Sequence, residues 1–148
     1  MPVDSGTVLF LCTGNYYRSR FAEYYFRHLA IQYQIPWKAI SRGLRIPTDN
    51  EGSLSPHTLK ECERLKISVE PLRRPLPLTI AELEQADLTI AVKATEHQPL
   101  MRSLFPEWET RIEYWEVHDL DIVPSATALP HLRRQVEALI TRFRRERG

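Results

Sequence analysis

The sequence is poor in cysteine, with only Cys12 and Cys62 among its 148 residues. Two cysteines are too few for a disulfide framework, and neither lies in the Cys-x-x-Cys spacing of a metal site. The five histidines show no metal-ligand spacing either. We therefore expect neither a disulfide-stapled fold nor a metal centre.

The sequence also lacks a long apolar run. No segment approaches the roughly 18 apolar residues of a membrane-spanning helix, and the N-terminal residues lack the charged-then-apolar pattern of a signal peptide. The net charge of +1 gives no general attraction to nucleic acid or to a membrane surface. We expect a cytoplasmic protein with no nucleic-acid partner and no membrane partner.

The hydrophobic share of 43% and the charged share of 26% are those of an ordinary globular protein. The length and the absence of repeats and linkers predict a single domain over residues 1–148. Apolar and helical patterns alternate along this domain. The predicted strands are 8–11, 37–41, 88–92 and 112–117. The predicted helices are 18–34, 56–65, 80–86, 95–105 and 126–145.

This alternation predicts an α/β fold with a parallel sheet and right-handed crossovers. In such sheets, ligands bind beyond the carboxyl ends of the strands. Cys12 follows the first predicted strand, and Asp119 follows the fourth. Both residues are therefore candidates for a functional site. A dinucleotide site is disfavoured, because the first strand–helix turn lacks the Gly-x-Gly-x-x-Gly pattern.

The segment after the first strand reads "LCTGNYYRS", from Leu11 to Ser19. A loop that enters a helix presents several backbone N–H groups, and their dipoles favour an anion. Gly14 and Asn15 tolerate the left-handed backbone that such a curl requires. Arg18 offers a planar fork to phosphate oxygens, and the same field favours the nucleophilic thiolate of Cys12. The loop therefore predicts a phosphate cradle with a nucleophile at its base.

The spacing of a cysteine and an arginine carries little weight alone, and the context supplies the argument. Cys62 is a useful comparison, because Ser68 stands six residues after it and it lies inside a predicted helix. We therefore interpret Cys62 as a structural residue.

"VLFLCTGNYYRSRFAE" resembles the N-terminal signature of the low-molecular-weight protein tyrosine phosphatase family, a Cys-x5-Arg-Ser loop after the first strand. The resemblance continues, in the expected order, through "SRG", "LSPHTLKECERLKI", "ADLTIAV" and "YWEVHDLD". It implies a flavodoxin-like, three-layer fold: a four-stranded parallel sheet of order 2-1-3-4 with helices on both faces. It also implies hydrolysis of phosphate monoesters, most simply on a phosphotyrosine protein or a small aryl phosphate.

The resemblance assigns roles to individual residues. Cys12 would attack phosphorus and form a cysteinyl-phosphate, which water would then hydrolyse. Arg18 and the loop amides would bind the phosphate, so the substrate-binding residues would be Thr13, Gly14, Asn15, Tyr16, Tyr17, Arg18 and Ser19. Asn15, Ser19 and Ser41 would support the loop. No cofactor or metal is expected, because arginine and amides supply the charge stabilisation.

The leaving group needs a proton donor, which in this family is an aspartate near the end of the fourth strand, normally followed by proline. "HDLD" offers Asp119 and Asp121, and neither precedes a proline. Asp119 fits the position better, and Asp121 is the alternative. An alternative function is a phosphate- or phosphoprotein-binding module of the same fold with weak or no turnover.

Two further departures bear on the site. Tyr17 stands where many members carry a second, protective cysteine, so that reversible disulfide is excluded. A histidine that supports the loop in many relatives is replaced near Leu72. The tyrosines at positions 16 and 17 either line the mouth of the site or pack against a neighbouring loop. Thioredoxin-coupled arsenate reduction is disfavoured, because Cys62 is the only other cysteine. We expect a monomer or a weak dimer.

Overall fold

The computed structural model describes residues 5–50, 52–120 and 122–146. The strands are β1 (Gly6–Cys12), β2 (Trp37–Gly43), β3 (Leu88–Ala91) and β4 (Glu113–Tyr114). The helices are α1 (Arg18–Gln32), α2 (Pro56–Arg64), α3 (Ile80–Gln85), α4 (Ala94–Leu104) and α5 (Ser125–Glu146), with a 3-10 turn at Pro106–Trp108. Every strand and every α-helix lies where the sequence predicts it, within a few residues at each end, whereas the 3-10 turn was not predicted.

The four strands form one parallel sheet of order β2-β1-β3-β4, which confirms the predicted fold. Cys12, the last residue of β1, pairs with Gly43, the last residue of β2. Ala91 at the end of β3 pairs with Tyr114 at the end of β4. The register therefore brings all four carboxyl ends to one edge, where a functional site is expected.

Both faces of β1 are buried, because helices cover each side of the sheet. Val8, Phe10 and Cys12 belong to the core beneath α1 and α5, whereas Leu9 and Leu11 belong to the core beneath α3 and α4. Alternating side chains of a strand point to opposite faces, so a central strand with two covered faces is a continuous apolar run. The buried sheet gives Cys12 a rigid support.

β4 is shorter than the predicted strand 112–117. The chain stays beside β3 beyond Tyr114, since the Trp115 N–H donates to the Ala91 carbonyl at 2.8 Å and the Val117 N–H to that of Val92 at 2.7 Å. An isolated antiparallel bridge at residue 116 interrupts the regular ladder. This irregular segment leads directly into the loop of Asp119. No helix in the described part of the chain is long and apolar enough to cross a membrane.

Candidate active site

The thiol of Cys12 lies at the base of the loop between β1 and α1, and its side chain is 3% exposed. The Asn15 N–H donates to the Cys12 Sγ at 3.2 Å, and the Ser19 Oγ lies 2.9 Å from the same sulfur. The Ser19 oxygen already accepts from the Asn15 side chain, so its own proton is available to the sulfur. Two donors therefore meet at Sγ, an arrangement that stabilises negative charge there.

Asn15 holds the loop in its curled form. Its φ of 50° lies in the left-handed region, which asparagine tolerates better than most residues. The Asn15 Nδ2 donates to Ser19 Oγ and to Ser41 Oγ, both at 2.9 Å. The Asn15 Oδ1 accepts from Arg73 Nη1 and from the Leu76 N–H, both at 3.0 Å. Donors on one side fix the amide so that its NH2 group points at the two serines.

Arg73 supplies the loop support that the sequence left open near Leu72. Leu72 itself is exposed, but the neighbouring Arg73 reaches into the site. Its Nη2 donates to the buried carboxylate of Glu23 at 3.0 Å and to Ser41 Oγ at 3.0 Å. Ser41 in turn donates to Glu23 at 2.6 Å. The charged pair of Arg73 and Glu23 thus supports the Asn15 side chain of the loop.

A second arginine, Arg20, is fully buried beneath the loop. Its guanidinium donates to the backbone carbonyls of Asn15, Ser53 and Arg73 and to the Tyr24 hydroxyl. A buried charge of this kind is tolerated because its N–H groups have acceptors. Arg20 therefore ties the phosphate loop to two neighbouring loops.

The guanidinium of Arg18 donates hydrogen bonds to two partners, and the side chain is only 2% exposed. Nη1 donates to the Val117 carbonyl at 3.0 Å, and Nη2 donates to Glu96 Oε2 at 2.8 Å. Burial lowers the pKa of Arg18, but the negative charges around it, that of Cys12 first, more than offset this and raise it. The group is a fixed cation directly beside the thiol.

Glu96, in the first turn of α4, connects the two ends of the loop. Its Oε2 accepts from Arg18 and from the Thr13 hydroxyl, and it lies 3.1 Å from His97 Nε2. The His97 Nδ1 accepts from the Lys93 N–H, so the ring carries its proton on Nε2 and donates it towards Glu96.

The surroundings of Glu96 and His97 determine the charge of each side chain. Burial tends to raise the pKa of Glu96, but hydrogen bonds from His97, Arg18 and Thr13 outweigh it and hold the pKa far below its usual range. Burial is also the main reason that the pKa of His97 is lowered, and the ring is neutral as a result. Glu96 is therefore an anion that holds Arg18 in place.

Asp119 lies on the segment after β4, next to the guanidinium of Arg18. Its Oδ2 is 3.4 Å from Arg18 Nη2, and its Oδ1 accepts from the Leu120 N–H at 2.8 Å. The side chain is 40% exposed, so it borders both the loop and solvent. Asp121, the alternative acid, lies outside the described residues.

The two loop tyrosines have different surroundings. Tyr17 is 5% exposed and packs into the core with its ring edge-on to His57, at 6.1 Å between centroids. Tyr16 is partly exposed at the rim, and its carbonyl accepts from the Ser55 N–H. Cys62 is fully buried within α2, and burial raises its pKa to about 12, as expected for a structural thiol.

Five charged or polar residues of this site escaped the sequence analysis: Arg20, Glu23, Arg73, Glu96 and His97. Their only sequence signals are their positions one turn inside a helix that follows a strand, or in the proline-flanked stretch of residues 71–77. Such positions usually carry exposed charges. Only the fold shows that these side chains turn inward.

The model of the low molecular weight phosphotyrosine protein phosphatase family matches residues 7–143. The chain belongs to this family, and it is a cysteine-based phosphatase. No curated protein sequence is a significant match.

Solved structures support the same fold. A low molecular weight protein tyrosine phosphatase from T. tengcongensis is 25% identical with a TM-score of 0.77, covering 93% of this chain and 99% of its own. YfkJ from Bacillus subtilis is 22% identical with a TM-score of 0.83, and the match covers 100% of both chains. The YwlE arginine phosphatase from Geobacillus stearothermophilus is 22% identical with a TM-score of 0.76, and the match covers 95% of this chain and 94% of that one.

Proposed function

We propose that Cys12 is the nucleophile, that Arg18 and the loop amides bind the phosphate, and that Asp119 is the general acid. The observation that carries this assignment is the set of groups around one sulfur atom. The Sγ of Cys12 has two hydrogen-bond partners in its own loop, and Arg18 begins the helix that follows. The Asp119 carboxylate lies 3.4 Å from the guanidinium of Arg18.

The reaction proceeds in two steps. The Cys12 thiolate attacks phosphorus, so a sulfur–phosphorus bond forms and the ester P–O bond breaks. Asp119 gives its proton to the leaving oxygen. The Asp119 carboxylate then takes a proton from water, whose oxygen attacks phosphorus. The sulfur–phosphorus bond breaks, and thiolate and inorganic phosphate are released.

The loop stabilises the charge that develops during both steps. Arg18 is fixed by Val117 and Glu96 before substrate arrives, so little reorganisation is needed when phosphate oxygens meet it. Ser19 donates to the Cys12 sulfur and stabilises it as the leaving thiolate of the second step. Asn15, Ser41 and the buried network behind them keep the amides pointed at one centre.

The preferred substrate is an aryl phosphate, as in a phosphotyrosine protein. Leu120, 41% exposed, and Ile122, 59% exposed, stand beside Asp119 on the loop that receives the leaving group. Tyr16 is partly exposed on the phosphate loop itself. These side chains offer apolar contact to a flat ring at the mouth of the site.

The nucleophile is tested with p-nitrophenyl phosphate and a matched pair of variants. Cys12→Ala is expected to lower kcat by at least about a thousandfold, because no other described group can attack in its place. Cys62→Ala serves as the control and is expected to keep wild-type kcat, since Cys62 is buried in α2. Equal activity of Cys12→Ala and the wild type would overturn the assignment.

The substrate class is tested with phosphotyrosine, phosphoserine and phosphoarginine peptides of one sequence. We expect the highest kcat/KM on phosphotyrosine, and a selective loss of it in Leu120→Ser and Ile122→Ser. The phosphoarginine arm tests the activity named for one structural neighbour. A higher kcat/KM on phosphoarginine or phosphoserine would contradict the aryl preference while leaving the role of Cys12 intact.

A further inference from the structure

The hydroxyl of Tyr17 has no hydrogen-bond partner among the residues that the structure describes. The side chain is only 5% exposed, so bulk water does not hydrogen-bond to the hydroxyl. Leaving a buried donor unsatisfied is costly, and native proteins rarely do so. Such a group inside a catalytic loop suggests a donor that is used during the reaction.

Packing fixes Tyr17 through both its backbone and its ring. Its backbone carbonyl accepts from the Thr58 hydroxyl at 2.9 Å, and its ring lies edge-on to His57. The His57 Nδ1 is 3.1 Å from Ser125 Oγ, where the segment that carries Asp119 enters α5. Through His57, the Tyr17 ring is therefore linked to the segment that carries Asp119.

Two charges of the site act on the Tyr17 phenol. Burial is the main cause that raises its pKa to about 12, the charge of Asp119 raises it further, and that of Arg18 lowers it. The phenol is therefore protonated throughout the working pH range and has a proton to donate. The carboxylate whose charge acts on the phenol is that of Asp119, and its Oδ2 makes only a long contact of 3.4 Å with Arg18.

We propose that Tyr17 is a positioning residue for the general acid, donating its O–H to the Asp119 carboxylate as that carboxylate forms. A bound phosphate competes with Asp119 for the guanidinium of Arg18. The phenol then replaces Arg18 as the group that steadies the charge left when Asp119 gives its proton to the leaving oxygen. This inference rests on the proposed role of Asp119.

The test compares Tyr17→Phe with the wild type on two substrates, phenyl phosphate and p-nitrophenyl phosphate. The kcat/KM for these esters reports the first step, in which phenolate needs protonation far more than p-nitrophenolate does. We expect Tyr17→Phe to lower kcat/KM roughly 10-fold on phenyl phosphate, as befits one hydrogen bond to a charged group, and to change it little on p-nitrophenyl phosphate. An equal loss on both esters, or no loss, would overturn the proposal.

Two further variants separate this proposal from its premise. Tyr33→Phe removes the same atom from an exposed tyrosine on the far end of α1 and is expected to leave both rates unchanged. Asp119→Asn should lose activity selectively on phenyl phosphate, and adding Tyr17→Phe to it should cost nothing more. If Asp119→Asn shows no such selectivity, the assigned acid is wrong. If it does and Tyr17→Phe adds its full loss, only the Tyr17 proposal fails.

Stability gives an independent readout. Because the hydroxyl has no partner among the described residues, Tyr17→Phe should unfold at the same temperature as the wild type or higher. If the hydroxyl were purely structural, its removal would instead lower the unfolding temperature and reduce the rates on both esters together. That result would also overturn the proposal.

Discussion

Arg73 is the residue whose replacement tests the loop support most directly. Its guanidinium donates to Asn15 Oδ1, to Glu23 Oε1 and to both oxygens of Ser41, at 3.0 to 3.1 Å. In Arg73→Met the apolar stem remains and the donors are lost. Glu23, 7% exposed, keeps bonds from Ser41 and Arg27 but loses its second cationic partner, Arg73.

The loss can be sized from the contacts. A hydrogen bond to a charged group contributes about 1.5–3 kcal/mol net, and the other four bonds of Arg73, one of them to the Arg74 carbonyl, are to neutral acceptors. Since the Arg73 side chain is 23% exposed, we expect a net destabilisation of about 3 kcal/mol. For a chain of this length, that corresponds to a fall of roughly 6–12 °C in Tm.

Activity should fall as well, because the Asn15 amide is no longer held towards Ser19. We expect Arg73→Met to weaken competitive inhibition by inorganic phosphate and to lower kcat/KM on p-nitrophenyl phosphate. Arg73→Lys should fall between the two proteins, since lysine keeps the charge but lacks the planar fork. Thermal unfolding and steady-state kinetics measure both effects.

The exposed neighbour Arg74 provides the matched control. Arg74→Met should leave Tm and phosphate inhibition close to wild type. If Arg73→Met had the same Tm and the same phosphate affinity as Arg74→Met, the reasoning that assigns loop support to Arg73 would be refuted.

Glu96→Gln should weaken phosphate inhibition and destabilise the fold by about 2 kcal/mol at neutral pH, because Arg18 loses an anionic partner. Folding lowers the pKa of Glu96 from its ordinary value of 4.5, so the stabilisation by its charge is complete above pH 4.5 and is lost as the pH falls below it. The unfolding free energies of Glu96→Gln and the wild type should therefore converge in acid. A difference that stays constant with pH would contradict the ion pair. Hydrogen peroxide should drive Cys12 to forms that thiols do not reduce, because Tyr17 provides no thiol for a protective disulfide. Tyr17→Cys should raise the fraction of activity that dithiothreitol restores, and equal recovery in both proteins would count against this reasoning.

The fold and the phosphate loop were predictable because their signals are local. An apolar run with both faces buried marks β1, and a Cys-x5-Arg-Ser loop at a helix start marks the anion site. The predicted start of the helix at residue 56 is local as well, since the preceding Ser55 Oγ accepts from the His57 N–H. These features depend on neighbours in the sequence, which a single chain displays.

The support of the loop could not be predicted, because it depends on long-range charge pairing. Arg73 meets Glu23 across 50 residues of chain, and Glu96 meets Arg18 across 78. Nothing in the sequence distinguishes these side chains from exposed ones. The replacement of the family histidine near Leu72 left the support of the phosphate loop open. In the structure, Arg73, one residue further on, supports that loop through Asn15.

The central claim is that Cys12 carries the phosphoryl group during turnover. The most direct measurement is rapid acid quenching of the protein during hydrolysis of a radiolabelled phosphotyrosine peptide, followed by peptide mapping. We expect label on the peptide that contains Cys12 and none in Cys12→Ala. Turnover with no label on that peptide, or with label on another residue, would contradict it.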